Sequence, residues 1–435
     1  MIKQIRLKNK WDVNLCNDGK PCKYIILIGN NSVGKTYLLD KLSLDFNFNS
    51  GCQGLSDFLY TYQINGKDLS SRGWRKPKEM YLNVQCFYIK SISKILQLQN
   101  SQSQLTNCKH LEDEIKRLLN IDQVNNCRFK DKKGYVKDAC KNNISNFLNS
   151  FFGTDKYLLD LYYVDENTQK VTIVKNREMF IGNSSSGELQ ALAFITYITK
   201  FVVNTNSNKL LLIDEPETFM HPKGQINFAN SFDIWKSNPN SDDDQYFIAT
   251  HSPFIIKSFL EKFKNNVKIL HFRKIINDDG TMLYQCKSID KSQYLEWNNI
   301  SIPEINYLVF QIPSNDYFLE LYEYLMKKYM NKNNITEISF SDFDKKYLRT
   351  EDSELIQSDK PLANNDGKQT SLTRFRHLIA HGGNIGTEKG YKSYCDNVFN
   401  PTQTTKDFYN KYENEYMKLL EEQISKLITC INKFQ

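Results

Sequence analysis

Gly29-Asn30-Asn31-Ser32-Val33-Gly34-Lys35-Thr36 stands between a compact apolar run, Tyr24 to Ile28, and a stretch in which Leu38, Leu39 and Leu42 recur at helical spacing. The run reads as a buried strand and the stretch as a helix. The eight residues fit G-x-x-x-x-G-K-[ST], in the context that pattern requires: strand, glycine loop, helix. Glycines let the loop fold tightly, so that successive backbone N–H groups from Gly29 to Gly34 face a phosphate chain. The helix that follows adds its positive N-terminal end. Lys35 is placed to reach the β and γ phosphates, and the Thr36 hydroxyl to ligate Mg2+.

Three further stretches lie downstream. Lys209-Leu210-Leu211-Leu212-Ile213-Asp214-Glu215-Pro216 reads as a buried strand ending in two acids, Asp214 placed to hold a magnesium shell and Glu215 to polarise a water. Ser184-Ser185-Ser186-Gly187-Glu188-Leu189-Gln190 opens a helix that continues through Ala191, Leu192 and Phe194. Gln245-Tyr246-Phe247-Ile248-Ala249-Thr250-His251-Ser252-Pro253 reads as a strand ending in histidine. In isolation each has a plainer reading: acids that cap a buried strand, a serine N-cap cluster, and a structural histidine. His221 takes that last reading, packed beneath a sheet edge.

The 435 residues predict two to three domains. Hydrophobic residues at 40% and charged residues at 25% exclude a wholly disordered chain and a fibrous repeat. No apolar run approaches the roughly 18 residues of a membrane span. The basic segment from Met1 to Trp11 lacks the apolar core of a signal peptide, so a cytoplasmic protein without a membrane partner is expected. A net charge of +7 mildly favours an anionic partner. The ten scattered cysteines contain no Cys-x-x-Cys pair and read as reduced thiols.

Strands and helices alternate from Tyr157 to Ile256, which predicts an α/β fold with a parallel sheet. Residues 91–152 are polar, with short helical patterns, and read as a helical insertion or lid without sustained heptads. Beyond Lys287 the pattern turns helical: Tyr317, Leu321, Leu325 and Tyr329 recur every four residues, as do Tyr412, Tyr416, Leu420 and Ile424. The expected organisation is an ATPase domain over residues 1–290 and a mainly α-helical domain over 301–435, with the boundary between Lys287 and Ser301.

Taken in order, the glycine loop, the Ser-Ser-Gly-Glu stretch, the acidic strand and the histidine resemble the motif set of ABC-type ATPases. The Ser-Ser-Gly-Glu form and Asp214-Glu215-Pro216-Glu217-Thr218-Phe219-Met220-His221-Pro222 look like the RecF/SMC-related branch and its small bacterial ATPase cousins. The resemblance covers roughly residues 1 to 290. It implies ATP and Mg2+ as ligands and a head-to-head homodimer, or a higher homo-oligomer, sandwiching two ATP molecules. Ser185, Ser186, Gly187 and Glu188 would then meet the γ-phosphate held by the other subunit, and His251 would contact that phosphate and the attacking water. The family also carries a glutamine that watches the magnesium site, and Gln85 is the candidate.

In Thr373-Arg374-Phe375-Arg376-His377-Leu378-Ile379-Ala380-His381-Gly382-Gly383 the apolar residues share a helical face and the glycines end the helix. His381 falls in the last turn, where the negative helix end favours imidazolium. An arginine and two histidines are what metal-free cleavage of RNA needs: a base for the 2′-hydroxyl, an acid for the leaving oxygen, and a cation for the developing charge. Arg376 to His381 resembles the R-x4-H motif of HEPN ribonucleases, with His377 as the polar residue after the arginine. Positions five apart on a helix lie about 140° from each other, a mismatch that a site shared by two chains eases. A helical domain that only binds RNA or a partner is the blander reading. Zinc at His377 and His381 lacks the glutamate that the metalloprotease signature needs. Asp342 and Asp344, after the strand-like Ile335 to Phe340, would suit a TOPRIM-like magnesium site, a reading that ranks below the HEPN one because the glutamate-glycine strand of that fold is not evident and Lys345 and Lys346 suggest an exposed turn.

The expectation is therefore an ABC-type ATPase that regulates a HEPN-like ribonuclease in the same chain, as in toxins and anti-phage defence factors, with RNA, transfer RNA included, as substrate. The alternatives are an ATPase sensor that recruits or restrains a separate nuclease effector, and a RecF-like DNA-repair ATPase.

Overall fold

The computed structural model describes residues 1–7, 11–47, 58–64, 67–70, 84–89, 159–163, 171–175, 178–179, 208–218, 220–232, 244–276, 280, 282–289, 300–351, 355–357, 368–381 and 405–433. The insertion at 91–152 and the stretch from Ser184 to Gln190 lie outside them. The chain divides into two compact units, Met1–Ile302 and Pro303–Gln435, so the division falls just past the interval expected from the sequence.

The first unit contains β1 (Ile2–Leu7), β2 (Trp11–Asn14), β3 (Cys16–Asn17), β4 (Lys20–Pro21), β5 (Tyr24–Ile28), β6 (Phe58–Ile64), β7 (Lys67–Ser70), β8 (Val84–Ile89), β9 (Leu159–Tyr163), β10 (Val171–Lys175), β11 (Glu178–Met179), β12 (Asn208–Asp214), β13 (Gln245–Ala249), β14 (Val267–Ile276) and β15 (Met282–Ile289). Its described helices are α1 (Lys35–Asn47), α2 (Pro222–Ser231) and α3 (Pro253–Phe263).

The central sheet has the order β15-β14-β5-β13-β12-β8. Every neighbouring pair in it is parallel except β14 with β15. A parallel strand covered on both faces reads as an unbroken apolar run, and β5 meets that condition: all five of its residues are buried. Leu38, Leu39 and Leu42 of α1 are fully buried. Ser252 caps α3 by accepting from the Ile255 N–H at 3.1 Å, and Pro253 opens the helix. The Tyr24 ring lies between Phe263 at 4.0 Å and Tyr246 at 5.1 Å, which ties α3 to β5 and β13.

A second, four-stranded sheet, β2-β1-β6-β7, is antiparallel. The buried Gln245 amide joins it to the central sheet, accepting from Ile2 N–H at 2.8 Å and donating to the carbonyls of Ile2 and Cys22 at 3.0 and 2.9 Å. Among the described residues Cys16, Cys22, Cys86, Cys286 and Cys430 form no disulfide. Burial pushes the Cys86 thiol up to about 12, out of the reactive range.

The second unit is mainly helical among its described residues: α4 (Ile302–Phe310), α5 (Asn315–Lys332), α6 (Phe340–Phe343), α7 (Ser371–His381) and α8 (Thr405–Lys433), with a short pair β16 (Leu355–Gln357) and β17 (Lys368–Thr370). Its core gathers Phe318, Leu321, Tyr322 and Leu325 of α5, Phe343, Leu372 and Phe375, and Leu420, Ile424, Leu427 and Ile431 of α8.

Two sequence expectations need correction here. Ile335 to Phe340 is not a strand: Ser339 caps α6, and Asp342 accepts from its hydroxyl at 2.7 Å in a capping exchange. Asp344 opens a π-helical stretch to Leu348, is fully buried, and is bonded to Thr370 and Arg349. The two acids therefore serve local structure and do not form the magnesium pair of a TOPRIM-like site. His221 is exposed and does not pack under the sheet; its Nδ1 accepts from Lys223 N–H at 3.3 Å and caps α2.

Candidate nucleotide site

In open α/β sheets ligands bind beyond the carboxyl ends of the strands. The glycine loop leaves the end of β5, Asp214 ends β12, and His251 follows β13, the strand between them. The connecting backbone is pinned: Glu215 N–H donates to Ala249 O at 2.8 Å, and Thr250 N–H to Leu27 O at 3.0 Å. Three separate sequence motifs thus meet at one sheet edge.

The loop has the conformation its glycines permit. Gly29 has φ +132° and Gly34 φ +109°, both outside the region open to other residues. A Cβ on Gly29 would stand 2.2 Å from the Phe272 carbonyl oxygen of the neighbouring β14. Ser32 takes φ +63°, and Glu215, at the turn after the acidic strand, takes φ +51°. Left-handed backbone at non-glycine residues costs about 1–2 kcal/mol each, and both positions lie in loops at this edge.

Lys35 is buried, and its ammonium donates to the carbonyls of Gly29 and Asn30 at 2.7 and 3.0 Å. Thr36 Oγ1 donates to Asp214 at 3.0 and 3.3 Å from the two carboxylate oxygens. Asp214 is itself buried. A hydroxyl and a carboxylate in contact are hard oxygen ligands suited to Mg2+, which binds through one or two protein groups and completes its shell with water and substrate phosphates. The side chains of Thr36 and Asp214 fit that role.

His251 lies where these charges meet. Burial lowers its basicity first, the Lys35 charge lowers it further, and Glu215 and Asp214 oppose. Its Nε2 is buried without a hydrogen-bond partner among the described residues. A neutral imidazole with an open nitrogen beside Lys35 and Glu215 can contact a phosphate oxygen or a water.

Gln85 does not belong to this group. It is paired with Lys209 in the parallel register of β8 and β12, five residues before Asp214 and at the opposite end of the sheet. At about 3.3 Å per residue the separation is about 16 Å. The residue of β8 that comes near the acids is Tyr88. Its phenol is pushed well up by burial and then by the charges of Asp214, Asp40 and Glu215. Only the pairing of β8 with β12 could have singled it out.

Ser185, Ser186, Gly187 and Glu188 lie outside the described residues. In the second unit Arg376 is half-buried, with its guanidinium 3.5 Å from the centre of the Phe340 ring. His377 and His381 are on α7, His381 as its last residue; their side chains lie outside the described set.

Residues 68–256 match the AAA ATPase domain family model. That span includes Asp214, Glu215 and His251, while the Gly29–Thr36 loop precedes it. No curated protein matches the chain at a significant level. Among solved structures, an SMC head bound to the C-terminal winged-helix domain of ScpA aligns with a TM-score of 0.39 and 11% identity, over 67% of this chain and 98% of that one. The recombination mediator RecF with ATP aligns with a TM-score of 0.30 and 15% identity, over 58% of this chain and 92% of that one. Both scores are too low to carry the assignment. No helix among the described residues is long and apolar enough to cross a membrane. The first unit has the mixed α/β, parallel-rich architecture of a P-loop ATPase, and most of it falls within a match to the AAA ATPase domain.

Proposed function

We propose that the first unit binds ATP with Mg2+ on the Gly29–Thr36 loop and hydrolyses it in the manner of ABC-type ATPases. The convergence of Lys35, Thr36, Asp214 and His251 at one sheet edge, with Thr36 and Asp214 in contact at 3.0 Å, carries this reading. Lys35 and the loop N–H groups hold the phosphates, and Thr36 and Asp214 hold the metal, which supplies charge neutralisation when bound. Glu215 accepts a proton from the attacking water, whose oxygen bonds to the γ-phosphorus as the bond to ADP breaks. His251 donates to the phosphate oxygens. Ser185, Ser186, Gly187 and Glu188 complete the site from a second copy.

The proposed output of the second unit is metal-independent RNA cleavage by Arg376, His377 and His381, regulated by the nucleotide state. A second reading makes this unit a binding module for a separate effector. The stacking of Arg376 on Phe340 favours that reading, because it gives the arginine a packing role.

Phosphate release tests the first claim: Glu215→Gln should bind ATP yet hydrolyse it about 100-fold more slowly. Induced expression followed by sequencing of RNA ends tests the second. New 2′,3′-cyclic phosphate ends that Arg376→Ala and His381→Ala abolish are expected of the nuclease, and ends unchanged by both variants would leave the binding module.

A further inference from the structure

Glu217 follows the acidic pair, and its carboxylate has no role in the chemistry above. Both of its oxygens are engaged by consecutive residues of the loop after β13. Oε2 accepts from the Thr250 hydroxyl at 2.8 Å, and Oε1 accepts from the His251 backbone N–H at 2.5 Å. The contacts continue in a circuit. Ser252 N–H donates to Thr250 Oγ1 at 3.0 Å, and the Ser252 hydroxyl donates to Gln225 Oε1 at 2.5 Å while capping α3. The Gln225 amide then donates to the Met220 carbonyl at 2.9 Å, closing on the segment that carries Glu217.

The same segment carries Glu215, in a left-handed turn. The His251 ring has no bond at Nε2 among the described residues. Its placement therefore depends on the backbone that bears it, and that backbone is held by Glu217. Each Glu217 oxygen is thus held by a fixed donor. A carboxylate presents an acceptor oxygen to each of the two donors, whereas an amide would turn its NH2 towards one of them.

We propose that Glu217 is a positioning residue for ATP hydrolysis: by clamping Thr250 and His251 it fixes the His251 imidazole relative to Glu215 and couples the two loops. This rests on the ATPase reading above and extends it to a residue that touches neither nucleotide nor metal. Burial raises the Glu217 carboxyl above its ordinary range, with a smaller push from the Glu215 charge, while hydrogen bonds from the His251 and Glu217 backbone N–H groups and the Thr250 hydroxyl counter that effect by favouring the charged form.

The test measures phosphate release against ATP–Mg concentration, together with thermal unfolding, for the full chain and for Glu217→Gln, Glu217→Ala, His251→Ala, Glu217→Gln/His251→Ala and Lys35→Ala. Misplacing a catalytic group by about 1 Å can cost about 100-fold in rate. Glu217→Gln should lower kcat about tenfold and Glu217→Ala up to about 100-fold, with KM for ATP changed less than about threefold. The nearly isosteric glutamine strands one donor where alanine strands two, so its Tm should fall less than that of alanine, which keeps the test open if alanine unfolds the chain. In the His251→Ala background Glu217→Gln should add little. Full additivity, or a raised KM with unchanged kcat, overturns the inference. Hydrolysis that Lys35→Ala abolishes but both Glu217 variants leave intact overturns this inference alone. Hydrolysis that survives Lys35→Ala removes the ATPase reading, and the positioning role with it.

Discussion

Replacing Gly29 by alanine probes the loop where its geometry is tightest. The added Cβ would lie 2.2 Å from the Phe272 carbonyl oxygen, 3.1 Å from its carbon and 3.1 Å from Val33 Cγ2. The oxygen belongs to β14, whose register with β5 pairs His271 with Ile28, so it cannot swing aside without parting two core strands. A non-glycine residue at φ +132° adds strain of about 1–3 kcal/mol, and the overlap adds about 1–3 kcal/mol more. The expected loss is about 2–6 kcal/mol, a fall in Tm of several degrees or more for a unit of this size. Because relief of the clash must move the loop, ATP affinity should fall at least about tenfold. Gly34→Ala is the control. Gly34 has φ +109° but open space around its Cβ position, so only the backbone strain applies and the Tm loss should be smaller. Thermal unfolding and a fluorescent-nucleotide titration on the full chain read both effects. A Gly29→Ala protein with wild-type Tm and affinity would refute the reasoning.

Stability should depend on pH through His271, whose pKa is lowered from 6.5 to about 4 by burial, then by Arg273 and Lys35. The unfolded imidazole takes up a proton that the folded one refuses, so this contribution is complete above pH 6.5 and is lost as pH falls towards 4. Its upper bound is about 3 kcal/mol, roughly halved by solvent screening, and urea unfolding of His271→Gln at pH 7.5 and 5 should show a flatter pH profile than the wild type. In the second unit Asp344→Ala removes an acceptor bonded to Thr370 N–H at 3.2 Å and Arg349 Nε at 3.3 Å. Stranding both should cost about 3–5 kcal/mol in urea unfolding, and a loss below about 1 kcal/mol would contradict that network.

The motifs of the proposed nucleotide site were legible because each is a local pattern: an apolar run, then a polar residue where the strand stops. Gly29 to Thr36, Asp214 and His251 could be placed at strand ends from sequence, and the sheet order only had to bring those ends together. Gln85 was misassigned for the complementary reason. The sequence marks a strand there without saying which end faces Asp214, and the register with Lys209 decides it. Tyr88 and Glu217 carried no local signal, since their partners lie on other strands and loops. Ile335 to Phe340 has a strand-like pattern, but Ser339 and Asp342 form a helix cap, and tertiary packing buries Asp344 beside Thr370. The repeats of α5 and α8 were visible as four-residue spacing, whereas the bond between Tyr322 and Thr373 at 2.8 Å, which links α5 to α7, was not.

The most direct test of the account is equilibrium binding of ATP to the full chain with and without Mg2+, comparing the wild type with Lys35→Ala. Saturable, Mg2+-strengthened binding that the substitution weakens about 100-fold or more is expected. Equal affinity in the two proteins would contradict it.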